Sequence, residues 1–133
     1  MEQCRLCKCT DKPLKESHII PKMFYNALKR NSPTCIMRMA DDPNRGVQDG
    51  LKLPFLCGEC EELFSKYERA FSNRIYQKAI ANDGEIKFES KDDALSYFLL
   101  SVAWRVIKHT RETDKTTLTE CELEKMDGII ETW

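Results

Sequence analysis

The sequence predicts an α+β fold, in which a small module closed by two cysteine knuckles is followed by C-terminal helices. Two Cys-x-x-Cys pairs, Cys4–Cys7 and Cys57–Cys60, are separated by 49 residues. Short strand-like runs lie between them, and from Cys57 onward apolar residues recur every three or four positions, as in a helix. We therefore predict one compact unit, with the knuckle module over residues 1–82 and a helical extension over 83–133 that packs on it.

The cysteines predict a metal site. Four thiolates are what a closed tetrahedral zinc site requires, and each knuckle turn presents two sulfurs to one ion. The predicted structural Zn²⁺ ligands are Cys4, Cys7, Cys57 and Cys60. Cys9 adjoins the first knuckle and could compete as a ligand, whereas Cys35 and Cys121 are expected to be buried small apolar side chains.

Composition describes an ordinary globular chain of 133 residues, with 41% hydrophobic and 32% charged residues. No run of 18 or more apolar residues and no signal-peptide pattern is present, so the sequence predicts no membrane span, reduced thiols and a cytoplasmic location. Net charge is −1, but residues 1–56 hold ten Lys/Arg against six Asp/Glu, and residues 57–133 hold eleven against sixteen. The basic half is where a phosphate backbone is expected.

The N-terminal elements follow from local residue patterns. Residues 12–20 have the pattern of a short strand that ends in the apolar pair Ile19-Ile20, with His18 at its exit. Pro21 suits the first turn of a helix over 22–30. The β-branched and apolar run 34–39 predicts another strand. A polar, turn-rich loop follows it, and residues 51–56 lead into the second knuckle.

The C-terminal elements are predicted from apolar periodicity and from capping signals. They are a helix over 59–81, a short strand over 85–89, a helix over 93–111 and a last helix over 119–131. Asp92 or Asp93 is the expected N-cap of the third of these, and Thr119 with Glu122 forms a capping-box signal for the last.

Three motifs taken together resemble a known nuclease family. They are the first Cys-x-x-Cys, the turn Ser17-His18-Ile19-Ile20-Pro21, and the second Cys-x-x-Cys followed at once by Glu61. This combination resembles the HNH, or ββα-metal (His-Me finger), endonucleases, and within them the zinc-stapled, endonuclease VII-like branch. The runs 44–50 and 56–68 are also similar to uncharacterised bacterial proteins that carry an HNH-like zinc domain.

The resemblance implies a metal-dependent endonuclease that hydrolyses phosphodiester bonds of DNA or, as the lesser expectation, RNA, in a phage, mobile-element or defence setting. Such hydrolysis needs a deprotonated water and a cation that stabilises charge on the phosphate. By resemblance His18 is the general base, Glu61 binds one Mg²⁺ or Mn²⁺ ion, and Asn44 positions the His18 loop. Lys22, Arg45 and Lys52 are the candidate nucleic-acid contacts.

Several alternatives stay open at this point. Ser17 stands where that branch usually has an acidic residue, so a second carboxylate could come instead from Glu16, Asp41, Asp42 or Glu68. Ser17 would also allow an inactive zinc-stabilised scaffold that binds nucleic acid or a protein partner. His18 could be an ordinary core or capping residue, Glu61 a first-turn acid favoured by the helix dipole, and Asn44 a turn residue. The apolar helices from residue 93 onward could bury against a second copy of the chain.

Overall fold

The computed structural model describes residues 2–85, 93–113 and 117–133 and has an α+β architecture. The strands are β1 (Leu14–His18), β2 (Met37–Arg38), β3 (Gly46–Val47) and β4 (Lys52–Cys57). The helices are α1 (Lys22–Asn31), α2 (Gly58–Phe71), α3 (Gln77–Ala81), α4 (Asp93–Thr113) and α5 (Glu120–Thr132). The α+β fold class is therefore confirmed. The strand predicted over 85–89 and the cap predicted at Asp92 lie in the part that the structure leaves undescribed, apart from residue 85, which belongs to no strand.

The central hairpin joins β1 to β4 in antiparallel register. Ser17 pairs with Leu53 and His18 pairs with Lys52, so consecutive β1 side chains leave the hairpin on opposite faces. Ser17 is fully buried, whereas His18 shares the more open face with Lys52. Residues 51–56 carried no strand prediction, because the partner that makes them a strand lies more than 30 residues earlier in the chain.

The small β2–β3 sheet is shorter than predicted. Of the strand expected over 34–39, only Met37–Arg38 is extended and paired. Cys35 has a φ of 54°, in the left-handed region, and its N–H donates to the carbonyl of Ser32 at 3.1 Å. A turn therefore replaces the first half of the predicted strand.

The long helix predicted over 59–81 stays helical throughout, but one turn in its middle is π-helical. This turn, Ser72–Tyr76, separates α2 from α3, a feature that a 3.6-residue periodicity does not distinguish. Helix α5 begins at the predicted capping box, since Thr119 accepts from the Glu122 N–H and the Glu122 carboxylate accepts from the Thr119 N–H. None of the helices in the described ranges is long and apolar enough to cross a membrane.

Two buried clusters join the knuckle module to α4. In the first, the Trp104 ring packs edge-on against Phe55 and Phe64, with ring centroids 6.0 and 5.9 Å away. In the second, the Phe98 ring stacks on Phe71 at 3.9 Å. Aromatic side chains bury large apolar areas, so these contacts fix α4 against β4 and α2.

Arg105 is the polar link in this packing and is only 1% exposed. Its guanidinium donates to the carbonyl of Ser101 at 3.3 Å and to that of His18 at 3.0 Å. A third bond reaches Glu68 Oε1 on α2 at 2.7 Å, and the guanidinium carbon lies 5.2 Å from the centroid of the Phe64 ring. One buried cation therefore ties α4 to both α2 and the end of β1.

Candidate metal centre and histidine site

A cluster of thiols lies where the first knuckle meets the end of β4. The Sγ atoms of Cys4, Cys7, Cys9 and Cys57 all lie within 4.8 Å of one another. Zinc–sulfur bonds of about 2.3 Å in a tetrahedron place neighbouring sulfurs roughly 3.8 Å apart. The Cys7–Cys57 Sγ separation is 3.6 Å, and Cys4 and Cys57 are fully buried. Spacing, donor type and burial all fit a metal ion such as zinc.

Backbone hydrogen bonds hold the first knuckle in position. The Cys4 N–H donates to the carbonyl of Cys9 at 2.9 Å, which closes the turn. The Arg5 N–H donates to the carbonyl of Phe55 at 3.0 Å, and the Cys57 N–H donates to Cys4 Sγ at 3.2 Å. The two distant segments are therefore joined through main chain as well as through sulfur.

The set of four differs from the predicted one by a single residue. Cys9 belongs to the group of four closely spaced thiols. The predicted fourth ligand, Cys60, is outside that group and lies beside it in the first turn of α2. Burial raises the pKa of the Cys60 thiol, and the neighbouring thiols of Cys57, Cys7 and Cys4 raise it further. Hydrogen bonds from Cys9 lower the pKa of Cys7 to about 6. Five thiols thus converge on one centre.

The remaining two cysteines correct a prediction. Cys35 and Cys121 were expected to be buried, and both are exposed. Cys35 lies in the turn that shortens β2, and Cys121 lies on α5, a helix with no buried residue. Neither belongs to the thiol cluster.

His18 lies at the end of β1 and pairs with a carboxylate. Its Nε2 is 2.9 Å from Asp49 Oδ1, and its side chain is 19% exposed. Its ring centroid lies 6.4 Å from that of Tyr25. The imidazole is therefore neither an apolar core residue nor a ligand of the thiol cluster.

Asp49 links His18 to Lys52. Its Oδ2 is 2.7 Å from Lys52 Nζ, and the hydrogen bonds from Lys52 and then from His18 hold the Asp49 pKa well below its usual range. An ionised carboxylate only accepts hydrogen bonds, so Nε2 of His18 carries the proton in this pair. In the neutral imidazole, Nδ1 is then the nitrogen with a free lone pair.

A close approach between Gly50 and Tyr25 fixes the loop that carries Asp49. A Cβ atom on Gly50 would lie 1.9 Å from a carbon of the Tyr25 ring, so no larger residue fits without a shift. Burial raises the pKa of Tyr25, and the charge of Asp49 raises it further. Beyond this contact, the Ile19 N–H donates to the carbonyl of Leu51 at 3.2 Å. The loop that carries Asp49 is therefore held by the Gly50–Tyr25 contact and by the Ile19–Leu51 hydrogen bond.

Glu61 lies in the first turn of α2 and contacts Ser17. The Ser17 hydroxyl donates to Glu61 Oε2 at 2.5 Å. His18 leaves β1 on the face opposite Ser17, and its hydrogen-bond partner is Asp49. Within residues 2–85, 93–113 and 117–133, neither His18 nor Glu61 belongs to a group of three closely spaced ligand side chains.

Asn44, Arg45, Lys22 and Glu68, four further residues named from the sequence, have other surroundings or partners. Asn44 is exposed in a turn, where its N–H donates to Asp42 Oδ1 at 3.2 Å, and the neighbouring Arg45 is also exposed. Lys22 is exposed at the start of α1. Glu68, one of the alternative carboxylates, pairs with a buried guanidinium. The role of Asn44 in positioning the His18 loop stays a prediction.

Asp49 is the site residue that sequence analysis missed. It lies within the run 44–50 that supports the resemblance, but nothing in its spacing from His18 marks the two as neighbours. An acidic residue directly before glycine in a polar loop was the available signal.

No family model, curated protein or solved structure matches this chain. The fold and the site define its class, a small α+β protein with a cysteine cluster that could hold a metal ion such as zinc.

Proposed function

We propose that the protein is an HNH-type, metal-dependent endonuclease that hydrolyses phosphodiester bonds of DNA on a zinc-stapled ββα-metal module. The observation that carries the proposal is the 2.5 Å contact between Ser17 and Glu61. The resemblance assigns metal ligands to the residue before the histidine and to the residue after the last knuckle cysteine. These two residues are 44 positions apart in sequence and meet across the boundary between β1 and α2.

His18 acts as the general base through Nδ1. Asp49 holds Nε2 and stabilises the imidazolium that forms when Nδ1 takes a proton from the attacking water. Arg105 holds the His18 carbonyl, which fixes the backbone that carries the ring. Lys52 keeps Asp49 ionised, so the histidine retains one orientation and one tautomer.

Glu61 would supply the carboxylate that holds the divalent cation, and the buried Ser17 hydroxyl, which donates to Glu61, would orient that carboxylate. The bound ion would stabilise negative charge on the phosphate and leaving oxygen. Mg²⁺ is commonly bound by one or two carboxylates, with water and substrate phosphate completing its shell. Glu61 supplies one carboxylate to that pattern. The net positive charge of residues 1–56 favours the approach of the phosphate backbone to this half of the chain.

Plasmid nicking in Mg²⁺ or Mn²⁺ tests the proposal. We expect His18→Ala to abolish nicking and Glu61→Gln to reduce it strongly, with zinc content and circular dichroism unchanged. The chain has a second histidine, His109, whose replacement by alanine is the matched control and should leave nicking intact. Equal nicking by His18→Ala and the wild type would refute the role of His18.

A second candidate function is an inactive scaffold that binds nucleic acid or a protein partner. The specific observation in its favour is Ser17, which leaves Glu61 as the single carboxylate of this pair. This candidate predicts no cleavage with any divalent ion, together with nucleic-acid affinity that falls steeply with salt concentration. Parallel titrations with DNA and RNA of the same sequence would identify the preferred polymer.

A further inference from the structure

Two thiols adjoin the same three sulfurs of the metal centre. Cys9 Sγ lies within 4.8 Å of the sulfurs of Cys4, Cys7 and Cys57. Cys60, in the first turn of α2, packs in the same buried cluster as Cys4 and Cys57, and the thiols of Cys57, Cys7 and Cys4 all act on its pKa. A tetrahedral zinc ion has room for one of the two, because three of its four positions are taken.

We propose that Cys9 and Cys60 are alternative fourth ligands of one zinc ion held by Cys4, Cys7 and Cys57. A structural zinc ion takes four ligands in a tetrahedron, so one of the five thiols stays outside its coordination shell at any time. In the exchange, the incoming thiol releases a proton and the outgoing thiolate takes one. The zinc–sulfur bond count and the charge of the centre are unchanged, and no oxidant is involved.

Cys9 and Cys60 differ in burial and in the element that carries them. Cys60 is 8% exposed in the first turn of α2. Cys9 is half-buried in the knuckle loop, and its Sγ is 3.2 Å from that of Cys7. That distance is roughly 0.6 Å shorter than the edge of a zinc tetrathiolate, so Cys9 binds after a small movement of its side chain.

The exchange has a consequence for the neighbouring helix. Cys60 directly precedes Glu61, so zinc binding through Cys60 restrains the first turn of α2. When Cys9 takes the fourth position, that restraint is released at the residue that contacts Ser17. The ligand exchange itself requires zinc at the cluster but no hydrolytic activity. Its test is therefore independent of the nuclease proposal.

Cobalt(II) substitution of the full chain tests the exchange, because the thiolate-to-cobalt absorption grows with the number of bound thiolates. We expect Cys9→Ser and Cys60→Ser each to retain a four-thiolate spectrum. The double variant should lose about a quarter of that absorption, as a site reduced to three thiolates would. Cys35→Ser, which removes an exposed thiol outside the cluster, is the matched control.

A three-thiolate spectrum from either single variant would overturn the proposal, because the residue replaced would then be the sole fourth ligand. Cadmium NMR on the wild-type chain provides a measurement that does not depend on the folding of Cys60→Ser. We expect two tetrathiolate resonances, or one broadened by exchange, that become a single sharp resonance in Cys9→Ser. A single sharp wild-type resonance that Cys9→Ser leaves unchanged would also overturn it.

Discussion

Replacing either partner of the Arg105–Glu68 ion pair should give strongly non-additive losses of stability. Arg105 is 1% exposed and Glu68 is 24% exposed. Glu68→Gln leaves the buried guanidinium without a counter-charge, which costs about 3 kcal/mol. Arg105→Met keeps the apolar volume but loses the bonds to the Ser101 and His18 carbonyls, at about 1 kcal/mol each, while the partly exposed Glu68 is hydrated by solvent. We therefore expect a loss of about 2 kcal/mol for Arg105→Met.

In the double variant no buried charge remains, so we expect a loss of about 2 kcal/mol and not the sum of about 5. The assay is urea unfolding of all four proteins at one pH with excess zinc, because bound metal contributes to the measured stability. Glu62→Gln on the same helix breaks an exposed pair with Arg69 and should change stability by less than about 0.5 kcal/mol. Additive losses in the double variant would refute the reasoning that the uncompensated guanidinium dominates.

Three further changes test the loop, the carboxylate and the metal. Gly50→Ala should destabilise the protein, because the added methyl group clashes with Tyr25. Gly128→Ala in helix α5 meets nothing within 4 Å and should stabilise the protein by about 0.5–1 kcal/mol. Thermal melts compare the two variants. Because the folded pKa of Asp49 is lowered, its stabilisation is present above the unfolded pKa of about 3.9 and is lost as the pH falls toward the folded value. The stability difference between wild type and Asp49→Asn should therefore shrink below about pH 4 in urea titrations, and a constant difference would contradict this. A zinc chelator should lower the melting temperature, and readded zinc should restore it; an unchanged melting temperature would mean that the thiol cluster holds no structural metal.

Local patterns account for the parts of the fold that the sequence predicted well. Helix α5 begins directly after its N-cap Thr119, as predicted, because the capping box lies within four consecutive residues. Pro21 directly precedes α1, and α1 ends within one residue of the predicted helix over 22–30. Each of these features depends on contacts between residues that are neighbours in sequence.

The errors fall where the outcome depends on residues far apart in the chain. Strand β4 was not predicted because its pairing with β1 crosses more than 30 residues. Asp49 was missed because its distance to His18 depends on a loop that the contact between Gly50 and Tyr25 holds in place. Cys35 was expected to be buried, but its left-handed backbone places it in an exposed turn.

The sequence by itself determined that two cysteine knuckles lie on either side of a histidine-bearing strand, because motif spacing and strand pattern are local properties. Only the tertiary structure decided that Glu61 contacts Ser17, that His18 pairs with Asp49, and that a fifth thiol adjoins the metal centre. The physical reason is strand pairing. Because side chains alternate across the β1–β4 hairpin, its register directs Ser17 to one face and His18 to the other.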